Sequence, residues 1–226
     1  MSKALKERFA RGEPVITVNL GGANPDTLDM LARFGAHLAM VDCERTGLGL
    51  EAATDLLRAA RAAGIPAVVR SWSPQQEVLV QYLDRKASGL IVPHIESAAQ
   101  AKAVVETVKY ACQDAAERLV ILQIESRAGI AQAKAIAAVP GVDAILIGPT
   151  DLAYDMTGQK FKVTDEVHAA LDGLCATLRE ARMPFGMPVN MGDYERFKAR
   201  GATLVYYPLY QLVERGLAEL KQRLGA

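Results

Sequence analysis

Two acidic residues, Glu125 and Asp151, each stand just behind a short apolar run of the sequence. Glu125 follows the run VILQI (120–124) and Asp151 follows AILIG (144–148). If these runs are neighbouring parallel strands, both carboxylates lie at the same end of the sheet, where they share a proton or hold a cation. Two oxygen ligands suit Mg²⁺ or Mn²⁺, which complete their coordination with water and substrate oxygens. The structural alternative is that Asp151 caps a helix and Glu125 pairs with a basic residue at the surface.

A guanidinium and a turn of backbone amides are placed to bind the anionic part of a ligand near these acids. Arg70 ends an apolar run, and an arginine at such a position can hold an oxyanion by two hydrogen bonds and stabilise charge that develops during a reaction. A salt bridge to one of the acids is the other interpretation, and the two are compatible. In the turn Gly148-Pro149-Thr150-Asp151, the backbone N–H groups, which Pro149 lacks, could face a carboxylate.

Eight short apolar runs, rich in β-branched residues, alternate along the chain with longer stretches of helical period. This alternation predicts parallel strands that are connected by helices and buried on both faces. The count of eight favours a closed TIM (β/α)8 barrel of the α/β class over an open doubly wound sheet. No linker interrupts the series, so we expect residues 1–226 to form a single domain. The predicted strands are Val15–Leu20, Leu38–Cys43, Ala67–Trp72, Leu90–Ile95, Leu119–Ser126, Ala144–Pro149, Pro184–Val189 and Thr203–Pro208.

The position of the chemically capable residues is a second argument for a barrel. They gather at the carboxyl ends of the predicted strands, which is where TIM barrels have their active sites. These residues are Asp42, Glu44, Arg70, His94, Gln123, Glu125 and Asp151.

Capping residues mark the starts of several predicted helices. Ser73-Pro74 predicts a helix with a capping serine and a proline at its first position. Ser97, with a glutamine three residues later, and Thr164, followed by two acids, predict two further starts.

The composition excludes several classes of protein. The 226 residues contain 26 Lys and Arg against 26 Asp and Glu, so the chain offers no basic footprint for nucleic acid. No apolar run approaches the roughly 18 residues that suggest a membrane span. The N-terminal stretch does not resemble a secretory signal, and Cys43, Cys112 and Cys175 show no paired spacing. We therefore expect a cytoplasmic protein with reduced thiols.

Five segments follow one another between residues 36 and 155 in the order of a known family. They are VDCE (41–44), VVRSW (68–72), IVPHIESAAQA (91–101), LQIES (122–126) and GPTDL (148–152). Together they resemble the metal-dependent class II pyruvate aldolases of the HpcH/HpaI (4-hydroxy-2-oxoheptanedioate aldolase) and citrate-lyase-like family. The resemblance implies a divalent metal, a homo-oligomer, and carbon–carbon lyase chemistry on a small 2-oxo acid through a pyruvate enolate.

The resemblance also implies roles for most residues at the strand ends. Glu125 and Asp151 fall where the family binds its divalent metal, and Arg70 falls where its arginine stabilises the enolate oxygen of pyruvate. Gln123 falls beside the water shell of the metal. The turn 148–151 falls where backbone amides hold the carboxylate of pyruvate.

The sequence departs from the family after the second predicted strand. There the family reads Asp-x-Glu-His, and its Asp–His pair acts through water on the substrate hydroxyl, whereas this chain reads Asp42-Cys43-Glu44-Arg45. An arginine does not accept a proton near neutral pH. Asp42 stays a catalytic candidate, and either His94 or Glu44 is expected to replace the missing base. Otherwise His94 is hydrogen-bonded at the barrel rim and Glu44 orients the waters of the metal.

Three alternative functions stay open on the sequence alone. Decarboxylation of a 2-oxo diacid such as oxaloacetate also produces a pyruvate enolate, and it requires no base for a hydroxyl proton. Lyase or thioesterase activity on CoA esters, as in citrate-lyase-like relatives, is the second, although no basic cradle for the CoA phosphates stands out. The third is a barrel that binds metal and ligand without turnover, which Arg45 in place of the histidine makes credible.

Overall fold

Eight parallel strands close into a barrel in the computed structural model, which describes residues 2–188 and 194–225. The strands pair in chain order, and the last pairs with the first from Val15 opposite Leu204 to Asn19 opposite Pro208. The TIM barrel predicted from eight apolar runs is confirmed. The single-domain organisation predicted for all of residues 1–226 stays a prediction. The strands are β1 (Val15–Asn19), β2 (Leu38–Asp42), β3 (Ala67–Arg70), β4 (Gly89–Val92), β5 (Leu119–Ile124), β6 (Ala144–Ile147), β7 (Phe185–Pro188) and β8 (Leu204–Pro208).

Helices precede, connect and follow the strands, and a 3₁₀ turn (Ala115–Glu117) lies before β5. The helices within the described residues are α1 (Ser2–Ala10), α2 (Asp26–Arg33), α3 (Leu50–Ala63), α4 (Gln76–Asp84), α5 (Ala98–Ala111), α6 (Arg127–Ala131), α7 (Ala133–Ala137), α8 (Pro149–Thr157), α9 (Asp165–Glu180), α10 (Tyr194–Ala199) and α11 (Leu209–Leu224). Over the described part of the chain, no helix has both the length and the apolar character needed to cross a bilayer.

Most strands end one to three residues earlier than the apolar runs predict, and in β5 the polar residues at the carboxyl end lie beyond the strand. β5 ends at Ile124, so Glu125 and Ser126 lie beyond it. Ser126 instead caps α6 by accepting a hydrogen bond from the amide of Gly129 at 3.1 Å. The predicted seventh strand ran to Val189, which lies outside the described residues.

Two of the three predicted helix starts are confirmed. Ser97 caps α5 and Thr164 caps α9, each accepting a hydrogen bond from a backbone amide of the first turn. The start predicted at Ser73-Pro74 is wrong, since α4 begins at Gln76. The hydroxyl of Ser73 accepts a hydrogen bond from the amide of Gln75 at 3.2 Å and holds a turn ahead of the helix.

The interior of the barrel is apolar at its amino end, and α1 closes that end. Leu5 and Phe9 of α1 are buried in one cluster with the first inward residues of the strands. The Lys6 ammonium lies 3.0 Å from a carboxylate oxygen of Asp143, just before β6, and ties the helix to the barrel. The strand residues of this cluster are Val15, Leu38, Met40, Val68, Ile91, Leu119, Ile121, Ala144, Leu146, Leu204 and Tyr206.

Candidate active site at the carboxyl end of the barrel

The alternation of side chains along each strand decides which polar residues face the barrel interior. Leu119 and Ile121 of β5 belong to the interior cluster, so Gln123, two residues further on, has the same orientation. Glu125 follows at the next such position, and both polar residues are buried. The same reasoning places Asp42 above Leu38 and Met40 in β2. The barrel interior therefore has a polar layer at its carboxyl end and an apolar layer nearer its amino end.

An ion pair between Arg70 and Asp42 forms one side of this polar layer. Arg70 Nε lies 2.9 Å from Asp42 Oδ1 and Arg70 Nη2 lies 2.6 Å from Asp42 Oδ2, which is a bidentate geometry. Both residues are buried. Burial alone would raise the pKa of Asp42, but the paired guanidinium outweighs it and holds the pKa below its usual range. The pair is therefore charged and fixed in orientation.

The carboxylate of Asp42 has further hydrogen-bond partners that the sequence did not indicate as a set. Its Oδ1 also accepts from the amides of Glu44 at 3.2 Å and Arg45 at 3.1 Å. Its Oδ2 accepts from Asn19 Nδ2 at 3.0 Å, and the same amide nitrogen lies 2.9 Å from the hydroxyl of Tyr206. Asp42 thus receives hydrogen bonds on both oxygens, which suits an orienting residue better than a base.

Asn19 and Tyr206 complete this side of the site, and sequence reasoning missed Asn19. Asn19 ends β1 and Tyr206 lies in β8, and both side chains are buried at the inner face. Their signal was present in the sequence as polar residues at inward positions of the first and last strands. It could be interpreted only once the strand register was known.

Glu125 and His94 are in direct contact across the mouth of the barrel. His94 Nδ1 lies 2.9 Å from Glu125 Oε1, and the backbone amide of His94 donates to the same oxygen at 2.9 Å. The other oxygen, Oε2, accepts from the side-chain amide of Gln123. The hydrogen bond to Glu125 raises the pKa of His94. Burial would raise the pKa of Glu125, but its bonds with His94 hold it below the usual range.

Glu44 joins the arginine pair to the histidine. Its Oε2 is 3.2 Å from Arg70 Nε, and its Oε1 is 3.9 Å from His94 Nε2 and 3.2 Å from Arg45 Nε. Burial raises the pKa of Glu44, although Arg70 opposes that shift. The structure therefore brings Asp42, Arg70, Glu44 and His94 into one connected group.

Asp151 is engaged by two cationic side chains. Its Oδ2 forms a close ion pair with Arg45 Nη2, and its Oδ1 lies 3.8 Å from Lys160 Nζ. Arg45 also contacts Glu44, so it links Asp151 to the group around Arg70. Arg45 occupies the position at which the family has its histidine. Its partner Asp151 lies 106 residues further along the sequence. Lys160 was not anticipated from the sequence.

The turn 148–151 forms the amino end of α8. Gly148 is the residue before the helix, and its amide donates to the carbonyl of Ile124 at 3.0 Å. Because Pro149 has no N–H, the amides of this turn that stay available to a ligand carboxylate are those of Thr150 and Asp151. The bond of the Gly148 amide to Ile124 does not favour its expected contact with the carboxylate, and the ligand-binding roles of the turn stay predictions.

Gly148 instead provides space beside Glu125. A Cβ at this position would lie 2.7 Å from Glu125 Oε2 and 2.8 Å from Glu125 Cβ, closer than such atoms approach. It would also lie 3.1 Å from Gln123 Nε2. The absence of a side chain at residue 148 is thus a condition for the position of the Glu125 carboxylate.

The donor set at the mouth fits a divalent cation. Ligand atoms of Glu44, His94 and Glu125 all lie within 4.8 Å of one another. Within the described part of the chain, the buried acceptors Glu44 Oε2 and Gln123 Oε1 have no hydrogen-bond partner. Buried acceptors rarely remain unpaired, and a cation with its bound water satisfies such atoms.

A β/α barrel that buries an arginine and carboxylates at its carboxyl end, with the imidazole of His94 in contact with them at the exposed rim, is an enzyme of the TIM-barrel class. Its groups are suited to stabilise an anion beside a cation. The chain belongs to the HpcH/HpaI aldolase/citrate lyase family, whose family model matches residues 16–207, from β1 into β8. The resemblance carried by the five segments is confirmed. The protein is a divalent-metal-dependent carbon–carbon lyase of this family.

Curated relatives and solved structures agree with this family. A hydroxypyruvate/pyruvate aldolase of Pseudomonas aeruginosa is 30% identical over 206 residues, which cover 80% of this chain and 77% of the relative. A 4-hydroxy-2-oxo-heptane-1,7-dioate aldolase of Salmonella dublin is 27% identical and covers 100% of this chain and 96% of its own. A family member from Burkholderia cenocepacia J2315 has the same fold, with a TM-score of 0.88 at 23% identity over 99% of both chains.

A more distant neighbour shares the fold at lower similarity. The citrate lyase beta subunit of M. tuberculosis, solved with oxaloacetate and magnesium, has a TM-score of 0.67 at 16% identity and covers 89% of this chain and 93% of its own. The metal and catalytic roles of individual residues in this chain stay predictions.

Proposed function

We propose that the chain breaks a carbon–carbon bond of a small 2-oxo acid through a pyruvate enolate, with aldol cleavage as the first candidate reaction. The observation that carries this proposal is the buried Arg70, which Asp42 holds in a bidentate pair 3.2 Å from the acid Glu44. An oriented guanidinium of this kind stabilises negative charge that develops on a reacting oxygen. The names of the aldolase relatives support the substrate class.

Glu125 and Asp151 are proposed to hold the divalent ion, which is Mg²⁺ or Mn²⁺. The buried carboxylate of Glu125 and the two acceptors beside it that have no hydrogen-bond partner support this position. The magnesium with which the citrate lyase neighbour was solved supports the kind of ion. When bound there, the ion polarises the keto group of the 2-oxo acid and offsets the charge on its oxygen. Gln123 donates to Glu125 and is proposed to keep its carboxylate oriented.

The carboxylate of the substrate is proposed to bind at the amino end of α8. The amides of Thr150 and Asp151 belong to the first helical turn, where N–H groups have no partner within the helix. Pro149 fixes the first helical position without competing for the ligand. Gly148 contributes by leaving room for Glu125 rather than by its own amide.

In aldol cleavage, the substrate hydroxyl loses its proton, the carbon–carbon bond breaks, and its electron pair passes into the enolate of pyruvate while an aldehyde leaves. Arg70 is proposed to donate to the enolate oxygen. Asp42, which accepts hydrogen bonds on both oxygens, is proposed to position Arg70. His94 and Glu44 stay the two predicted candidates for the base.

Decarboxylation of a 2-oxo diacid is the second candidate function, and one observation favours it. Arg45 replaces the histidine of the family and is paired with Asp151 and Glu44, so it does not act as a base. Loss of carbon dioxide leaves the same enolate and requires no base at the hydroxyl group. Arg70 would serve both reactions unchanged.

Exchange of the pyruvate methyl protons for deuterium, followed by NMR, tests enolate formation without knowledge of the aldehyde. We expect exchange that depends on added Mg²⁺ or Mn²⁺ and is lost in Glu125→Gln and Asp151→Asn. Glu106→Gln is the matched control, because Glu106 lies on an exposed face and contacts Lys109. A parent protein that binds the metal and shows no exchange would be a binding barrel without turnover. Release of carbon dioxide from oxaloacetate distinguishes the second candidate from the first.

Association into a homo-oligomer is proposed through α11. Its apolar residues are exposed and recur at helical spacing along one face, and Ile16 on β1, which pairs with β8, is 41% exposed. A second copy of the chain is the occupant that would cover this face. The exposed residues are Tyr210, Val213, Leu217, Leu220 and Leu224. Leu217→Glu with Leu220→Glu should convert an oligomer to a monomer in analytical ultracentrifugation, whereas a parent that is already monomeric would contradict the proposal.

A cytoplasmic location is proposed from the thiols. Cys43, Cys112 and Cys175 are all free and buried, and burial raises the pKa of Cys175 to about 11. Free thiols of this kind are typical of reducing compartments.

A further inference from the structure

We propose that His94 is itself a ligand of the divalent ion, so that the site favours a transition ion such as Mn²⁺ or Co²⁺ over Mg²⁺. The inference rests on the proposed function in one respect, namely that a divalent ion binds beside Glu125. It adds a nitrogen donor to a site otherwise formed by carboxylate oxygens.

The separation of the donor atoms supports a shared ion. His94 Nδ1 and Glu125 Oε1 are 2.9 Å apart. Two donors at right angles around one ion, with bonds of about 2.1 Å, are about 3 Å apart. On the other side of the imidazole, Glu44 Oε1 lies 3.9 Å from Nε2. His94 Nδ1 and Glu125 Oε1 are therefore already spaced as two ligands of one ion.

The backbone of His94 is held in an unusual conformation that produces this contact. Its φ is +57°, in the left-handed region that residues other than glycine rarely adopt. The amide of His94 donates to the same oxygen of Glu125 that the imidazole contacts. Such conformations persist where the surroundings determine them, and they cluster at ligand-binding positions.

The ion pairs of Asp151 weaken it as a ligand, so the divalent ion needs another donor. The two oxygens of Asp151 face Arg45 and Lys160, and both cations compete with a divalent ion for this carboxylate. The chain has an arginine where the family has a histidine, and it has a histidine at residue 94 beside the other proposed ligand. His94 is thereby placed to compensate for a weakened Asp151.

Two buried acceptors indicate where the remaining coordination shell would be. Glu44 Oε2, which is 3.2 Å from Arg70 Nε without hydrogen-bond geometry, and Gln123 Oε1 have no hydrogen-bond partner among the described residues. Water bound to a cation is a strong donor, and acceptors of this type orient such water. The two oxygens belong to residues that flank the Glu125–His94 pair in contact with it.

Direct coordination by nitrogen can be observed in the full chain loaded with Mn²⁺ alone. Electron spin-echo envelope modulation should show ¹⁴N coupling from an imidazole bound to the ion. The chain has three histidines, so growth with ¹⁵N-histidine should replace that coupling by a ¹⁵N coupling without any substitution. The parent protein therefore tests the proposal even if a variant fails to fold.

His94→Asn assigns the coupling to one residue. Asparagine tolerates positive φ better than alanine, so the loop should keep its conformation. We expect the nitrogen coupling to vanish while Mn²⁺ still binds, and the preference for Co²⁺ over Mg²⁺ in calorimetric titrations to fall about a hundredfold. The control is His168→Asn in α9, which should leave the coupling and the preference unchanged. Circular dichroism checks that both variants are folded.

The outcomes separate this inference from the proposed function. Bound Mn²⁺ without imidazole coupling in the parent, or coupling that survives in His94→Asn, would overturn the role of His94. If metal-dependent methyl exchange of pyruvate persists in that case, the proposed function stands without this ligand. If the coupling is present and exchange is absent, the metal site stands and the lyase chemistry fails. A chain that binds neither ion contradicts both.

Discussion

The two ends of the barrel bury different kinds of side chain, although the same eight strands form both. At the amino end, Leu5 and Phe9 of α1 join an apolar layer that excludes water. At the carboxyl end, the next inward positions are occupied by buried charged groups such as Asp42 and Arg70. Burial of apolar surface at the amino end stabilises the fold. Burial of charged groups at the carboxyl end costs part of that stability, because these groups lose their contact with water.

The buried charges are tolerated because each has several partners. Asp42 and Arg70 satisfy each other in a bidentate pair, and Asn19 adds a hydrogen bond to the same carboxylate. Removing one partner leaves the other charged and buried, which costs far more than the pair contributes. We call the apolar amino end of the barrel its floor and the polar carboxyl end its mouth. The difference between the ends predicts that substitutions at the floor change stability alone, while substitutions at the mouth change activity as well.

Arg70→Met should have the largest effect, because it removes the oxyanion donor and leaves Asp42 buried without its counter-ion. We expect methyl exchange of pyruvate to fall about a thousandfold and the free energy of unfolding to fall by about 3–5 kcal/mol. NMR exchange rates and urea denaturation measure the two effects. Arg58→Met, on an exposed face beside Asp55, should change neither. An active Arg70→Met protein would remove this residue from the chemistry.

Phe9→Ala tests the amino end of the barrel. Phe9 is buried in the floor cluster, so truncation should lower the free energy of unfolding by about 3–5 kcal/mol. The exchange rate per folded molecule should stay within about twofold, since the side chain is remote from the polar layer. The exposed Phe34 provides the control, and Phe34→Ala should shift stability by at most about 0.5 kcal/mol. Loss of activity in folded Phe9→Ala would show that the floor and the mouth are coupled.

Gly148→Ala should have a smaller effect at the mouth than Arg70→Met, namely a loss of metal affinity. The new Cβ would meet Glu125 at 2.7 to 2.8 Å, so the carboxylate must shift. We expect the affinity for Mn²⁺ in calorimetric titration to fall about 10- to 100-fold. Gly173→Ala in α9, where nothing lies near the new Cβ, should leave affinity unchanged and raise stability by up to about 1 kcal/mol. Unchanged affinity in Gly148→Ala would mean that Glu125 does not hold the ion.

Asp143 at the floor gives the smallest and most specific test. Burial raises the pKa of Asp143 in spite of its bonds with the amide of Val120 and with Lys6. The folded state therefore binds more protons than the unfolded state, so this carboxyl group lowers stability as the pH rises through its titration. Asp143→Asn should flatten that part of the curve of unfolding free energy against pH. A steeper curve in the variant would contradict the assignment.

Local pattern was sufficient to predict the fold and most members of the polar layer, although it missed Asn19. Apolar runs indicated the positions of the strands, and the place of Gln123 and Glu125 at the carboxyl end of one strand predicted that both lie at the active-site end of the barrel. The start of α4 was missed because the hydroxyls of Ser71 and Ser73 bind local backbone groups and form a turn instead of a helix cap. Competition between a turn and a cap depends on geometry that the sequence motif does not contain.

The connections within the site could not be predicted in the same way. The pairing of Arg45 with Asp151 joins the ends of β2 and β6, and it depends on side-chain reach across the mouth. The contact between His94 and Glu125 depends on a left-handed backbone at His94. Sequence spacing identifies which groups are near the mouth, but it does not identify which of them meet.

The closure of the floor has a consequence for synthesis on the ribosome. The docking place of Leu5 and Phe9 includes Leu204 of β8 together with residues of earlier strands. Because β8 is translated after α1, this docking place is complete only once β8 has paired with β1. Protection of α1 from proteolysis should therefore report that the barrel has closed.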